Sequence, residues 1–117
     1  MLVNITLKKG QILLNEGDPS DCLYFLKSGE LAIYKFDQEH KRHNVIAHIE
    51  AGEMVGEMSF LDNLPRSASV KATVDSELAM MNREGFVTLL ASQDKIIQNL
   101  VHTLSNRLRK ANQKIKL

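Results

Sequence analysis

Short apolar runs separated by turn residues fill the first three quarters of the chain. Glycines at positions 10, 17, 29 and 52 fall between these runs beside polar residues, where a turn needs positive φ or a tight reversal. Regularly spaced short strands are typical of a β-sandwich or β-barrel and not of β-α-β units. The predicted strands are residues 11–14, 22–26, 30–36, 44–49, 68–74 and 76–81.

Two helices are predicted to follow the strands. The first covers about residues 83–91 with Asn82 as its N-cap, and the second about residues 93–116 with Ser92 as its N-cap, because these side chains accept hydrogen bonds from the free N–H groups of a first helical turn. In the second helix apolar residues recur at alternating steps of four and three, which is typical of a coiled-coil seam. This seam consists of Ile97, Val101, Leu104, Leu108, Ala111 and Ile115.

The seam predicts a homodimer formed through the second helix. The alternative is an amphipathic helix that lies on the strands of its own chain.

Length and composition indicate one globular domain over residues 1–117. Hydrophobic residues make up 44% and charged residues 25% of the chain, and the net charge is +1, so no overall field attracts nucleic acid or an anionic membrane. Because Cys22 is the single cysteine, an internal disulfide and a cysteine-based zinc site are excluded. We find no signal peptide and no membrane segment, and we expect a cytoplasmic protein.

The segment 56–70 carries the candidate chemistry. Gly56 lets the backbone approach a ligand closely, and residues 57–61 can form a short helix whose first N–H groups suit an anion. Pro65 is expected to end that helix and to return Arg66 towards the helix start. Together with the hydroxyls of Ser67 and Ser69, these groups can converge on one small anion.

Glu57 is the unexpected member of this segment. A carboxylate beside a phosphate costs repulsion unless it accepts hydrogen bonds from hydroxyl groups of the same ligand. A ribose phosphate would satisfy both Glu57 and Arg66. Either residue alone would be interpreted as an ordinary surface charge.

The run GEMSFL over residues 56–61, followed by PRSASV over residues 65–70, resembles the phosphate-binding cassette of cyclic-nucleotide-binding domains. Residues 15–29 are similar to the strand-turn-strand entry of that family, and the similarity extends over about residues 6–112. The resembling domains include the sensor domains of bacterial cyclic-AMP-responsive transcription activators and of cyclic-AMP-dependent protein kinase regulatory subunits.

The resemblance implies a non-catalytic sensor that needs no cofactor. This sensor would bind cyclic AMP, with cyclic GMP as the alternative ligand, and relay occupancy of the site through its C-terminal helix. In the family, the carboxylate at Glu57 takes the ribose 2′-hydroxyl and the arginine at Arg66 pairs with the cyclic phosphate. The implied binding residues are Val55, Gly56, Glu57, Met58, Ser59, Arg66, Ser67, Ala68 and Asn112.

Two of these residues bear on base recognition. Bacterial cyclic-AMP activators have serine at the Ser67 position, whereas eukaryotic cyclic-GMP sites have threonine, so we expect cyclic AMP to be preferred. An ungapped alignment from Arg66 places Ala111 and Asn112 where the activators have a Thr-Ser pair that reaches the adenine. The Asn112 amide has a donor and an acceptor for the base, although an ordinary solvated asparagine is the alternative.

Strand pattern and resemblance predict the same architecture. It is an antiparallel, jelly-roll-like β-roll of about eight strands over about residues 6–81, with a short cassette helix at residues 56–61 and two helices over about residues 83–116. The predicted core consists of Leu13, Leu23, Phe25, Leu31, Ile33, Val55, Leu61, Val70, Leu78 and Phe86.

Other function classes fit the sequence less well. A cupin-like metal enzyme needs two or three histidines and a carboxylate on facing strands, but His40 and His43 fall in a predicted hairpin turn and His48 in a strand. We therefore expect no metal. The resembling activators carry a DNA-binding helix-turn-helix module after the long helix, and residues up to 117 contain none, which leaves a sensor fragment of a transcription regulator as an alternative.

Overall fold

The computed structural model describes the backbone of residues 2–115 and the side chains of residues 2–111. Eight strands and three helices follow one another within these residues. Their order is β1 (Val3–Leu7), β2 (Ile12–Leu14), β3 (Cys22–Ser28), β4 (Glu30–Asp37), β5 (Arg42–Glu50), β6 (Met54–Val55), α1 (Glu57–Asp62), β7 (Ser69–Ala72), β8 (Ser76–Asn82), α2 (Arg83–Ala91) and α3 (Lys95–Ile115).

The strands form two antiparallel four-stranded sheets, in the orders β1-β8-β3-β6 and β2-β7-β4-β5. This arrangement confirms the predicted β-roll with a cassette helix and C-terminal helices. Two strands were missing from the predicted runs. β1 pairs along β8 from Val3 to Leu7, and the two residues of β6 pair with Tyr24 and Phe25, a length too short to show a period of two.

The core between the sheets confirms part of the predicted set. Leu31, Val55, Val70 and Leu78 are buried, and Leu13 and Ile33 pack against them as partly buried residues. Leu23, Leu61 and Phe86 are only half-buried. Buried residues that were not predicted include Leu7, Leu14, Leu26, Ile49 and Phe60.

Phe25 was predicted in the core, and this prediction is wrong. Its side chain is 38% exposed, whereas the neighbouring Leu26 is 0% exposed. Successive side chains of a strand point to opposite faces, so a choice of the wrong parity moves a residue from the core to the surface. On the cassette helix α1, Phe60 is the buried residue, and its ring lies edge-on to Phe86 at a centroid distance of 5.3 Å.

The helix boundaries agree with the prediction for α2 and differ for α3. The side chain of Asn82 caps α2 by accepting a hydrogen bond from the Gly85 amide at 2.7 Å. Ser92 was predicted to cap α3 but instead ends α2 as its C-cap. α3 begins two residues later than predicted, where the Asp94 carbonyl accepts hydrogen bonds from the amides of Ile97 and Gln98.

Within the described part of the chain, no helix combines the length and apolar character that crossing a membrane requires.

Candidate functional site

A cavity of about 310 Å³ opens between the core-facing side of the sheet β2-β7-β4-β5 and the start of α1. Its apolar wall includes Leu14, Ile33, Ile49 and Val70. Its other side is formed by two separate stretches of chain, one around α1 and one that leads into β7. These stretches supply the predicted site residues Val55, Gly56, Glu57, Met58, Ser59, Arg66, Ser67 and Ala68.

Arg66 is the buried arginine of this cavity wall. Its side chain is 4% exposed, Nη1 donates to the Gly56 carbonyl at 2.8 Å, and Nη2 donates to the Cys22 carbonyl at 2.5 Å. Its backbone is held as well, because its amide donates to the Asp18 carbonyl and its own carbonyl accepts from the Gly17 amide, both at 2.8 Å. These four hydrogen bonds set the position of the guanidinium.

The charge of Arg66 lacks a carboxylate partner among the described residues, since none of their ion pairs includes it. Its Nε is buried without a hydrogen-bond acceptor in the same part of the chain. Burial lowers the pKa of the Arg66 guanidinium, while Tyr24, Cys22 and Asp21 act in the opposite direction. An arginine stays protonated in proteins even so. A buried, unpaired cation of this kind favours an anion beside it.

Gly56 joins Arg66 to the start of α1. Its backbone is left-handed, at φ 71° and ψ 19°, and its carbonyl accepts both the Arg66 Nη1 bond and the Phe60 amide at 3.2 Å. A Cβ at this position would collide with Nη1 of Arg66. Both the backbone angles and the lack of space therefore require glycine here.

Helix α1 ends before the proline that was predicted to end it. Asn63, at φ 55°, is the left-handed C-cap, its amide donates to the Phe60 carbonyl at 3.3 Å, and the Leu64 amide donates to the Ser59 carbonyl at 3.1 Å. An asparagine in this conformation is a common helix stop, with a proline shortly after it. Pro65 follows this stop and leads into Arg66.

Arg83 anchors α1 and does not line the cavity. Its Nη2 donates to the Phe60 carbonyl at 2.6 Å and to the Ser20 carbonyl at 2.9 Å, and its guanidinium lies 4.4 Å from the centroid of the Phe60 ring. The sequence pattern identified position 83 only as the start of a helix. Its link to α1 depends on contacts between residues far apart in sequence and had no local signal.

Two further predicted site residues, Ser69 and Asn112, are not among the described residues that line the cavity. Ser69 was expected at the anion, but its hydroxyl accepts a hydrogen bond from the Glu16 amide at 2.9 Å, and its register partner is Tyr34, which faces away from the cavity. The expectation for Ser69 is therefore wrong. The side chain of Asn112 lies outside the described residues.

The part of the cavity wall that runs from the end of β5 to the start of β6 was not predicted from the sequence. His48, Glu53 and Met54 contribute to the lining. Glu53 is held in its own turn, because its Oε1 accepts from the Glu50 amide at 2.7 Å. His48 pairs in register with Ala32, and its Nε2 lies 3.9 Å from Glu30 Oε1.

Among the described residues, no three histidine, cysteine, aspartate or glutamate side chains are grouped in a way that could hold a metal ion.

Comparison with known protein families gives one match over most of the chain. Residues 4–93 match the family model described as "Cyclic nucleotide-binding domain".

Two curated relatives from different organisms match most of this chain. The cAMP-dependent protein kinase regulatory subunit of Emericella nidulans is 33% identical over 97 residues, which are 83% of this chain and 23% of the relative. The cyclic AMP receptor protein of Thermus thermophilus is 32% identical over 109 residues, which are 93% of this chain and 50% of the relative. The chain thus spans half or less of the length of these relatives.

Solved structures extend the similarity to three dimensions. The half-site-occupied form of the EAL enzyme Bd1971 has a TM-score of 0.84 at 34% identity and covers 96% of this chain and 99% of that one. The cAMP-bound form of the same enzyme has a TM-score of 0.71 at 35% identity over 97% of this chain and 30% of that one. Its cGMP-bound form has a TM-score of 0.72 at 34% identity over 96% and 30%, respectively.

Proposed function

The chain belongs to the cyclic nucleotide-binding domain family, and we propose that it binds a cyclic nucleotide in the cavity beside α1 and does not transform it. The observation that carries the proposal is the buried guanidinium of Arg66, which lines the cavity and has no carboxylate partner among the described residues. The cyclic phosphate supplies the missing negative charge.

In the same proposal, the remaining residues of the cavity wall contact the other parts of the nucleotide. Backbone amides around Met58, Ser59, Ser67 and Ala68 donate to the phosphate oxygens, and Gly56 permits close approach of the chain. The half-buried Glu57 accepts a hydrogen bond from the ribose 2′-hydroxyl. The apolar wall, to which Ile33, Ile49 and Val55 belong, packs against the sugar and the purine.

Cyclic AMP is the preferred ligand in this proposal, because Ser67 matches the serine of bacterial cyclic-AMP activators. The structures of Bd1971 with cAMP and with cGMP make the comparison of both nucleotides the direct test. Isothermal titration calorimetry of the full chain with cyclic AMP, cyclic GMP and linear 5′-AMP is expected to rank them in that order. A folded protein that binds neither cyclic nucleotide would overturn the proposal.

We also propose that the chain is a sensor and not an enzyme. The family is a nucleotide-sensing domain, and the cavity binds its ligand with an arginine, amides and a carboxylate. Cyclic AMP incubated with the protein and followed by liquid chromatography should remain unchanged over hours. Conversion that depends on Arg66 or Glu57 would assign a catalytic role.

The relay of occupancy is proposed to run through α3 to a second copy of the chain. Three seam residues are exposed, at 42% for Ile97, 48% for Leu104 and 39% for Leu108, which supports a dimer over a helix packed on its own β-roll. Arg109 Nε lies 3.1 Å from Asp62 Oδ1 and so links α3 to the end of α1. Asn112 remains the candidate contact to the base.

A second candidate is that this domain is the sensor of a transcription regulator. The similarity to the cyclic AMP receptor protein over 93% of this chain favours it. The reading frame downstream of Leu117 is the observation that tests it, since a helix-turn-helix module there would support a DNA-binding output and another module would exclude it.

We also propose that the protein is cytoplasmic and that residues 1–117 form one domain. A single cooperative unfolding transition is expected for such a domain.

A further inference from the structure

A second concavity, of about 270 Å³, is lined by Gly10, Ile12, Tyr34, His43, Val45 and Lys71; we call it the outer groove. Ile33 and Val70 line the nucleotide cavity, and the residues that directly follow them, Tyr34 and Lys71, line the outer groove. Since consecutive side chains of a strand point to opposite faces, the two concavities lie on the two sides of the same strands, β4 and β7.

The strand register confirms that the groove residues share one face. Ile12 pairs with Lys71, and Tyr34 pairs with Val45 on β5. His43 was expected in an exposed hairpin turn, but it lies in β5 opposite Phe36. It is thereby placed beside Tyr34 and not at the tip of the hairpin.

Tyr34 forms the floor of the outer groove, and its ring contacts the side chains of Lys71 and His43. It is only 8% exposed, the Lys71 Nζ lies 5.2 Å from the centroid of its ring, and the His43 ring meets it edge-on at a centroid distance of 5.4 Å. His43 is in turn packed edge-on against Phe36 at 5.2 Å. These contacts limit where the ammonium and the imidazole can point.

The charge of Lys71 is not neutralised by a carboxylate, since none of the ion pairs among the described residues includes it. Ile12 and Val45, at 51% and 54% exposure, supply uncovered apolar surface next to it. The groove therefore has a cation, an imidazole and a phenol beside two branched apolar side chains. Its volume lies just below the range of roughly 300–1,000 Å³ typical of ligand pockets, which suits a fragment-sized molecule better than a peptide.

We propose that the outer groove binds a small organic anion with an aromatic or branched apolar body. The anionic group pairs with Lys71 and accepts a hydrogen bond from His43 or the Tyr34 hydroxyl. The apolar body covers Ile12 and Val45. This proposal does not depend on the nucleotide function, because none of its residues lines the nucleotide cavity.

Phenyl phosphate is the probe for the test, with benzyl alcohol and inorganic phosphate as the two half-ligands. The full chain, with and without saturating cyclic AMP, is titrated while amide chemical shifts are followed by NMR. Phenyl phosphate is expected to shift His43, Val45 and Lys71 in both conditions and to bind more tightly than either half-ligand. Shifts centred on Arg66 and Glu57, or equal affinity for benzyl alcohol, would overturn the proposal.

The variant Lys71→Met keeps the length of the side chain and removes its charge. It should weaken phenyl phosphate binding by about 10-fold or more, which corresponds to the loss of one charge-assisted hydrogen bond. The matched control is Lys35→Met, because Lys35 follows Tyr34 on β4 and does not line the groove.

A second variant protects the test if Lys71→Met does not fold. Val45→Glu changes an exposed residue at the groove and adds a negative charge that repels the negatively charged phenyl phosphate. It should reduce phenyl phosphate affinity by at least the same factor as Lys71→Met. A phenyl phosphate affinity within about twofold of wild type in whichever of Lys71→Met and Val45→Glu folds would contradict the proposed contact.

Discussion

The Nη1 nitrogen of Arg66 lies 2.8 Å from the carbonyl oxygen of Gly56, the same oxygen that accepts the first hydrogen bond of α1 from the Phe60 amide. Arg66, the proposed phosphate contact, and the first turn of α1 therefore hydrogen-bond to the same backbone oxygen. A change at either residue should therefore affect the position of the other.

Replacing Arg66 by alanine should weaken cyclic AMP binding by about 30-fold or more. This factor corresponds to roughly 2–5 kcal/mol for the loss of one partner of a buried charge pair. Calorimetry measures the affinity. The matched control is Arg42→Ala on β5, because Arg42 is exposed and lies outside the cavity lining.

The Arg66→Ala variant also removes the guanidinium donors from the carbonyls of Gly56 and Cys22, although the Gly56 carbonyl keeps the Phe60 amide, so the fold of the variant must be checked by circular dichroism. Arg66→Lys keeps the charge but cannot reach both carbonyls and a phosphate with the same planar geometry, and it should lie between wild type and Arg66→Ala. Unchanged affinity in folded Arg66→Ala protein would remove the phosphate role.

Glu57→Gln should reduce the preference for cyclic AMP over its 2′-deoxy analogue. The proposed hydrogen bond from the ribose 2′-hydroxyl to the Glu57 carboxylate should contribute roughly 1.5–3 kcal/mol, and the deoxy ligand cannot form it. Glu53→Gln is the control, because Glu53 also lines the cavity but its carboxylate is bonded to the Glu50 amide. If Glu57→Gln discriminates between the two ligands as well as wild type, Glu57 is misassigned.

Gly56→Ala should be more destabilising than Gly52→Ala. Both glycines have positive φ, 71° and 96°, so each alanine pays a backbone cost of roughly 1–2 kcal/mol. Only at Gly56 does the added methyl also meet Arg66; at Gly52 it meets nothing within 4 Å. Chemical denaturation and calorimetry on both variants separate the backbone cost from the steric one, and equal losses of stability and affinity would show that the contact with Arg66 is unimportant.

Leu104→Glu tests the proposed dimer. Leu104 lies in the middle of the seam and is 48% exposed, and a charge buried in a coiled-coil seam is strongly unfavourable. Sedimentation velocity should show a dimer for wild type and a monomer for Leu104→Glu, with Thr103→Glu, an exposed position off the seam, remaining dimeric. A wild type that stays monomeric at high concentration with and without nucleotide would end the dimer proposal.

Tyr24 makes stability depend on alkaline pH. Burial is the main reason that its pKa is raised above the ordinary value of 10.0. Above about pH 10 the unfolded tyrosine ionises while the folded one keeps its proton, so stability is complete below that pH and falls as the pH rises through the folded pKa. Urea unfolding between pH 8 and 11 should show a steeper loss for wild type than for Tyr24→Phe, and parallel curves would contradict this assignment.

The sequence by itself determined the features that depend on neighbouring residues. Eight of the nine predicted binding residues come from two stretches, 55–59 and 66–68, and all eight line one cavity. Gly56 within the first stretch and Pro65 just before the second determine the local path of the chain. The α2 cap at Asn82 is equally local, because its side chain reaches only the amide of Gly85. Interactions over a few residues leave a spacing that can be read directly from the chain.

The tertiary structure decided which face each strand residue takes and which distant groups meet. Arg66 is bonded to the carbonyl of Cys22, 44 positions away, and Arg83 holds the Phe60 carbonyl, although no local pattern pairs these residues. Strand pairing also put Leu26 and not Phe25 in the core and turned Ser69 away from the cavity towards Glu16. The physical reason is that a shift of one residue in a strand exchanges its two faces, and only the pairing of strands distant in sequence sets that register.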